Sequence, residues 1–221
     1  MKRTILFAMI LILSLATVAE AQHASGSSHV GEWDFSVMTR YSWGKDFSDD
    51  NGASINFQDD LGWGFGFSKY VKEQLNVGLL FSWHSMYYDA TAPEVGNPDN
   101  SWVYSNVLTT STIGLYGDYM VMNKGKFSPY VSGNLGWTRV NTNITADVDG
   151  GCYYYPYYGE VCATWQSATY GDDSFVYGVG LGGKINLSPS AFMKVGYEWG
   201  WNSFDHWDSY GALRVDLGFF M

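Results

Sequence analysis

Gly211–Met221 reads GALRVDLGFFM. Leu213, Val215, Leu217, Phe219 and Met221 occupy every second place. Ala212, Arg214, Asp216 and Gly218 stand between them, and Phe220 is the exception. Because successive side chains of a strand point to opposite faces, this segment has one apolar face and one small or charged face. So apolar a strand at a chain end is an aggregation-prone edge unless another strand pairs with it. The pattern therefore asks for a first strand that closes the sheet onto its last.

The rest of the chain is built the same way. At 221 residues it is long enough for one domain. It has 10 Trp, 17 Tyr and 26 Gly, yet after the first residues it holds no run of the roughly 18 apolar residues that a membrane helix needs. Residues 1–21 read as a cleaved signal peptide: Lys2 and Arg3, then an apolar stretch from Ile5 to Val18, then Ala19-Glu20-Ala21. Residues 22–221 are then the mature domain, and the net charge moves from −10 to about −11 as Lys2, Arg3 and Glu20 leave. That acidity argues against nucleic acid as a partner. Cys152 and Cys162, an even pair in an exported chain, read as a disulfide. Closing so short a loop stabilises it by roughly 2–3 kcal/mol in the chain-entropy picture.

Eight alternating segments follow one another. They lie at about Glu32–Gly44, Leu61–Tyr70, Leu75–Tyr87, Trp102–Val121, Phe127–Thr142, Phe175–Leu187, Ala191–Asn202 and Gly211–Met221. Short turns at Val71–Gln74, Asn123–Lys126 and Ser188–Ser190 alternate with longer polar connections, including Asp89–Ser101 and Asn143–Asp173. The reading is an all-β protein: an eight-stranded antiparallel up-and-down transmembrane β-barrel.

A soluble barrel has the same period with its apolar face inward. Two features turn it the other way. The polar face carries charges of both signs, Asp34, Arg40, Asp118, Lys184, Lys194, Glu198, Arg214 and Asp216, as suits a closed interior of paired ions. Trp and Tyr gather near strand ends (Tyr41, Trp43, Trp83, Trp137, Trp199, Trp201), where an interfacial girdle belongs. A closed barrel also satisfies its backbone without water, as a bilayer demands.

Phe127-Ser128-Pro129-Tyr130-Val131, Gly133–Trp137, Tyr177–Gly183 and the closing strand resemble the small outer-membrane β-barrels of Gram-negative bacteria, the OmpA-like transmembrane domain and the opacity-protein porin family. The resemblance covers nearly all of residues 22–221. It implies a cell outer-membrane location, outer-membrane lipid and lipopolysaccharide as surroundings, and handling by the barrel assembly machinery. It also implies both termini in the periplasm and four loops outside. The family usually ends on Phe or Trp, whereas this chain ends on Met221 with Phe219 two places earlier.

Few residues suggest chemistry. The inward glycines 62, 64, 66, 178, 180 and 182 either make room for Tyr116, Tyr130 and Phe192 or leave a narrow water-filled path past the ionic residues. Asp147-Val148-Asp149-Gly150 lacks the distal Glu of a calcium loop, so no metal and no cofactor is expected. Tyr153, Tyr154, Tyr155, Tyr157 and Tyr158, bracketed by the cysteines, form a candidate recognition loop, since Tyr offers large contact area at low entropy cost. Host, phage or a neighbouring protein is the kind of partner it suits. His84 beside Ser82 and Ser85, and His206 beside Ser203, Asp205 and Ser209, are the only candidates for a lipid A-modifying enzyme, and neither sits in a catalytic motif. The first expectation is a non-enzymatic surface protein with a structural or adhesive role. A narrow porin is the second and a lipid A-modifying enzyme the third.

Overall fold

The computed structural model describes residues 29–48, 52–94, 97–122, 126–141, 152–155, 159–162, 171–203 and 209–221. The leader and His206 lie outside them. Eight long strands form the wall: β1 (Trp33–Ser42), β4 (Asp60–Lys72), β5 (Leu75–Glu94), β6 (Asn97–Met120), β7 (Phe127–Asn141), β10 (Gly171–Ser188), β11 (Ala191–Asn202) and β12 (Tyr210–Phe220). Four short ones, β2 (Asp46–Ser48), β3 (Ser54–Phe57), β8 (Cys152–Tyr155) and β9 (Gly159–Cys162), lie in the longer connections. Hydrogen bonding runs β5-β4-β1-β12-β11-β10-β7-β6 and back to β5, all antiparallel, so the sheet is a closed eight-stranded barrel. First and last strands pair along Asp34↔Phe220 to Ser42↔Ala212. Trp33 and Met221 exchange the closing pair of backbone bonds, Trp33 N–H donating at 3.3 Å and Met221 N–H at 2.8 Å.

The apolar face is outside. Ile113, Val131 and Leu181 are 53%, 52% and 54% exposed, while Asp118 and Lys194 are 1% and Asp216 0%. In water this would be inverted; it fits a wall that meets lipid. Aromatic pairs lie toward both ends of the outer surface. At one end Trp63 stacks on Trp83 (4.9 Å), Tyr177 on Trp201 (5.7 Å), and Tyr197 meets Trp199 edge-on (4.4 Å). At the other, Trp33 stacks on Phe67 (4.8 Å).

Of the six inward glycines read from the sequence, Gly66 and Gly182 lie against aromatic side chains, and further glycines do the same. The Tyr130 ring lies against Gly182 and Gly196, the Tyr116 hydroxyl against Gly66, the Tyr210 ring against Gly200 and the Phe192 ring against Gly218. Each aromatic reaches a place where a Cβ would collide, so eight strands suffice to hold these side chains inside.

Two connections differ from the sequence reading. Asp89–Ser101 is not a polar loop. Its described residues extend β5 and β6, which stay paired through Ala92↔Trp102 and Pro93↔Ser101. Pro93 and the polar residues suggested a loop, but a strand leaving the barrel wall is no longer obliged to alternate greasily. Its edge beyond β4 is taken up by the β2–β3 hairpin: β3 pairs β5 from Ser54↔Thr91 to Phe57↔Tyr88, and Ala53, Ile55, Phe57, Tyr88, Ala90 and Ala92 are buried. The second connection, Asn143–Asp173, contains the β8–β9 hairpin, which touches the projecting strand at Glu94↔Tyr153.

Gly218→Val should cost roughly 1–3 kcal/mol by overpacking against Phe192. In a Phe192→Ala background the same change should cost little. Urea unfolding of barrels in lipid vesicles measures both, and equal losses in the two backgrounds would refute the contact.

Candidate functional site

Every second residue of each strand enters the lumen, so the register decides which charges meet. Directly opposed like charges are unfavourable, yet the register opposes Arg40 to Arg214 across β1–β12 and Lys184 to Lys194 across β10–β11. The first pair is bridged by Glu198, one diagonal step away on β11. Its Oε2 stands 2.9 Å from Arg40 Nη2, and its Oε1 accepts from Arg214 Nη1 at 2.8 Å. Arg214 also holds Asp216, two places on, through Nε (2.7 Å) and Nη2 (2.6 Å).

The two lysines separate in opposite directions. Lys194 reaches across the lumen to Asp118 Oδ2 on β6 at 2.7 Å. Lys184 donates to the Tyr70 hydroxyl on β4 at 2.7 Å, and its ammonium sits 4.5–4.9 Å from the ring centres of Phe220, Phe192 and Tyr70. Since β10 and β4 are diametrically opposite in the ring, this bond spans the full width of the barrel. Asp34 completes the set, accepting from Ser68 Oγ (2.6 Å) and Asn76 Nδ2 (2.8 Å). The structure thus places Asp34, Arg40, Asp118, Lys184, Lys194, Glu198, Arg214 and Asp216 inside, all buried, with Met38, Leu80 and Tyr116 packed as an apolar cluster in their midst.

Above this layer the lumen opens. A cavity of about 550 Å³ lies at the β5–β6 hairpin end, with Arg40 and His84 at its base and Thr112, Thr138, Val140 and Val176 on its wall. His84 Nδ1 is 3.1 Å from Asp60 Oδ2. Sequence reasoning passed over Asp60, because it stands at the first place of its strand beside the polar Gln58-Asp59. Only the β1–β4 register, which sets it opposite Ser42, brings it inside. Ser82 is buried one step below His84 and Ser85 is on the outer, exposed face, so the two serines do not share a position relative to the ring.

At the rim Asp59 accepts the Gly44 N–H (2.8 Å) and the Tyr41 hydroxyl (2.6 Å). These bonds hold its carboxyl below the usual carboxylate range. Its contribution to rim order is therefore present above the unfolded Asp pKa of about 3.9 and lost as pH falls through the lower folded value. The protection factor of the Gly44 amide, its exchange rate relative to the intrinsic rate at the same pH, should fall below that range in the parent chain and should be low at every pH in Asp59→Ala.

Of the recognition-loop candidates, Tyr153, Tyr154 and Tyr155 lie on β8; Tyr157 and Tyr158 fall outside the described residues. Cys152 and Cys162 face one another as register partners of β8–β9. Among the described residues no group of three or more His, Cys, Asp or Glu is placed to hold a metal.

No protein-family model matches the chain, and no curated protein sequence matches it. Solved structures do. The outer membrane protein OprG from Pseudomonas aeruginosa is 13% identical, with 88% of this chain and 98% of that one covered at a TM-score of 0.58. The N-terminal β-barrel domain of Pseudomonas aeruginosa OprF is 12% identical, covering 87% and 98% at 0.51. Neisserial surface protein A is 14% identical, covering 85% and 96% at 0.50. The chain has the fold of these small outer-membrane β-barrels, the group its sequence resembles.

Removing one partner of the Lys194–Asp118 pair strands a buried charge. Lys194→Met or Asp118→Leu alone should cost roughly 3–5 kcal/mol, and the double variant should recover most of it. Urea midpoints in vesicles provide the comparison.

Proposed function

We propose that the protein is an exported outer-membrane β-barrel whose role is structural and surface-interactive: a closed scaffold that displays a strand-built outer tip. The observation that carries this is the pair of bonds crossing the lumen, Lys184–Tyr70 and Lys194–Asp118, each 2.7 Å. Together with the Arg40–Glu198–Arg214–Asp216 chain they occupy the cross-section that an eight-stranded barrel has to offer. In this reading residues 1–21 are the cleaved leader, and outer-membrane lipid and lipopolysaccharide surround the apolar wall. The barrel assembly machinery inserts the chain. In this reading the role is non-enzymatic; His84 pairs with Asp60 at the cavity base, and His206 lies outside the described residues.

The displayed tip is the β5–β6 hairpin with β8–β9 against it. A Cys152–Cys162 disulfide would staple β8 to β9, as their facing register supports. It would hold Tyr153, Tyr154, Tyr155, Tyr157 and Tyr158 ready for contact with a host, phage or neighbouring-protein surface, with less ordering to be done on binding. A narrow-pore role is the competing reading.

Single-channel recording of the refolded mature chain in planar bilayers separates the two. A folded barrel should be electrically silent. Steady conductance whose selectivity changes on neutralising Arg40, Lys194 or Arg214 would replace this reading by the pore. In the same preparation, Cys152 and Cys162 should resist a maleimide label until reductant is added.

A further inference from the structure

The cavity above the ion-paired layer is lined differently from the rest of the molecule. In a chain of net charge −10, none of the described residues lining it is acidic. Its charged members are Arg40 at the base and Lys45 at the rim, with His84 beside Arg40. Most of the wall is apolar or hydroxylic, formed by Met86, Val140, Val176 and the threonines facing them. At about 550 Å³ it falls inside the roughly 300–1,000 Å³ range of small-molecule sites.

Arg40 is under-served. Its side chain is only 6% exposed, and its ion pair goes to a Glu198 that also serves Arg214. Its Nε has no hydrogen-bond partner. A guanidinium stays charged under all ordinary conditions and presents five donors. Leaving a buried donor without an acceptor is costly. Asp216 is held by Arg214 and Asp60 by His84; Glu198 gives Oε1 to Arg214 and sets Oε2 2.9 Å from Arg40 Nη2. Arg40 is also among the residues that line the cavity, so an anionic group entering it would meet a guanidinium there.

The upper wall shows where an apolar body would lie. Strands β1 and β12 stay paired up to Ser42↔Ala212, after which β1 turns away: Gly44 goes to Asp59, and Lys45 exchanges backbone bonds with Phe57. Gly211 and Tyr210 then pair only with β11. Through this parting the cavity also touches Trp43, Tyr197 and Trp199, which belong to the outer aromatic ring. The site is thus polar and cationic at its base and aromatic at its mouth.

We propose that this cavity binds one small amphipathic anion, a carboxylate on an unbranched apolar chain, with the head at Arg40 and the chain against Met86, Val140 and Trp43. The pocket has Arg40 in its lining, and beneath it Glu198 ties Arg40 to Arg214. It is independent of whether the outer tip meets a partner.

The test uses the refolded mature chain in lipid nanodiscs and 10-bromodecanoate as a quencher of tryptophan fluorescence. Quenching should saturate at one equivalent and be reversed by decanoate, with 1-decanol about tenfold less effective. Arg40→Gln should weaken the site about tenfold. Val140→Phe, which fills the pocket without touching the charges, should abolish saturation while the heat-dependent gel shift shows a folded barrel. Non-saturating quenching equal to that of empty nanodiscs would overturn the proposal. So would displacement by decyltrimethylammonium as good as by decanoate, or unchanged binding in folded Val140→Phe.

Discussion

Everything in this molecule depends on one backbone seam, the pairing of β1 with β12. A sheet that faces lipid has no water to satisfy the N–H and C=O groups of an open edge. Once Trp33 and Met221 are bonded to each other, no wall strand has an unpaired side within the barrel body. The seam also fixes the lumen. It places Arg40 against Arg214, a repulsive match that would be poor in isolation, and thereby requires Glu198 on the neighbouring strand.

Closure at eight strands leaves a lumen as wide as a few side chains, and the chain fills it by two devices. Aromatics lie against glycines of other strands, and charges reach across to partners on distant strands. The first device sets the packing density of the wall and the second joins opposite sides of it. Above Arg40 both thin out, to the Tyr210 ring on Gly200 and the His84–Asp60 contact. The wall residues there become Thr, Val and Met, and the interior changes from solid to hollow over about one pair of residues.

The period-two pattern made strand identity, count and inward face readable, because lipid on one side and charge on the other leave no ambiguity about orientation. The inward position of Asp34, Lys194 and Asp216 followed from alternation once the mixed charges and the strand-end aromatics had turned the polar face inward. Their partners did not. Whether Lys194 meets Asp118 or Asp216 depends on strand stagger, which alternation cannot encode. The projecting parts of β5 and β6 were hidden for a different reason: beyond the lipid the pattern loses its apolar face, and Pro93 with its polar neighbours looks like any connection. Asp60 was obscured by its place at a strand's first residue. Trp43 read correctly as a girdle residue, but nothing local to it discloses the parting of β1 from β12.

The long β5–β6 hairpin makes the barrel a lever. At about 3.3 Å per residue, Glu94 stands roughly 35 Å along the strand from Trp83. The same two strands carry, near their other ends, Asn76 and Asp118, the residues that hold Asp34 and Lys194. A sideways pull on the tip is therefore transmitted down a braced ribbon to bonds that tie it to β1 and β11 on other sides of the barrel. Mechanical load at the surface is resisted by buried ionic ties rather than by the two adjacent seams alone.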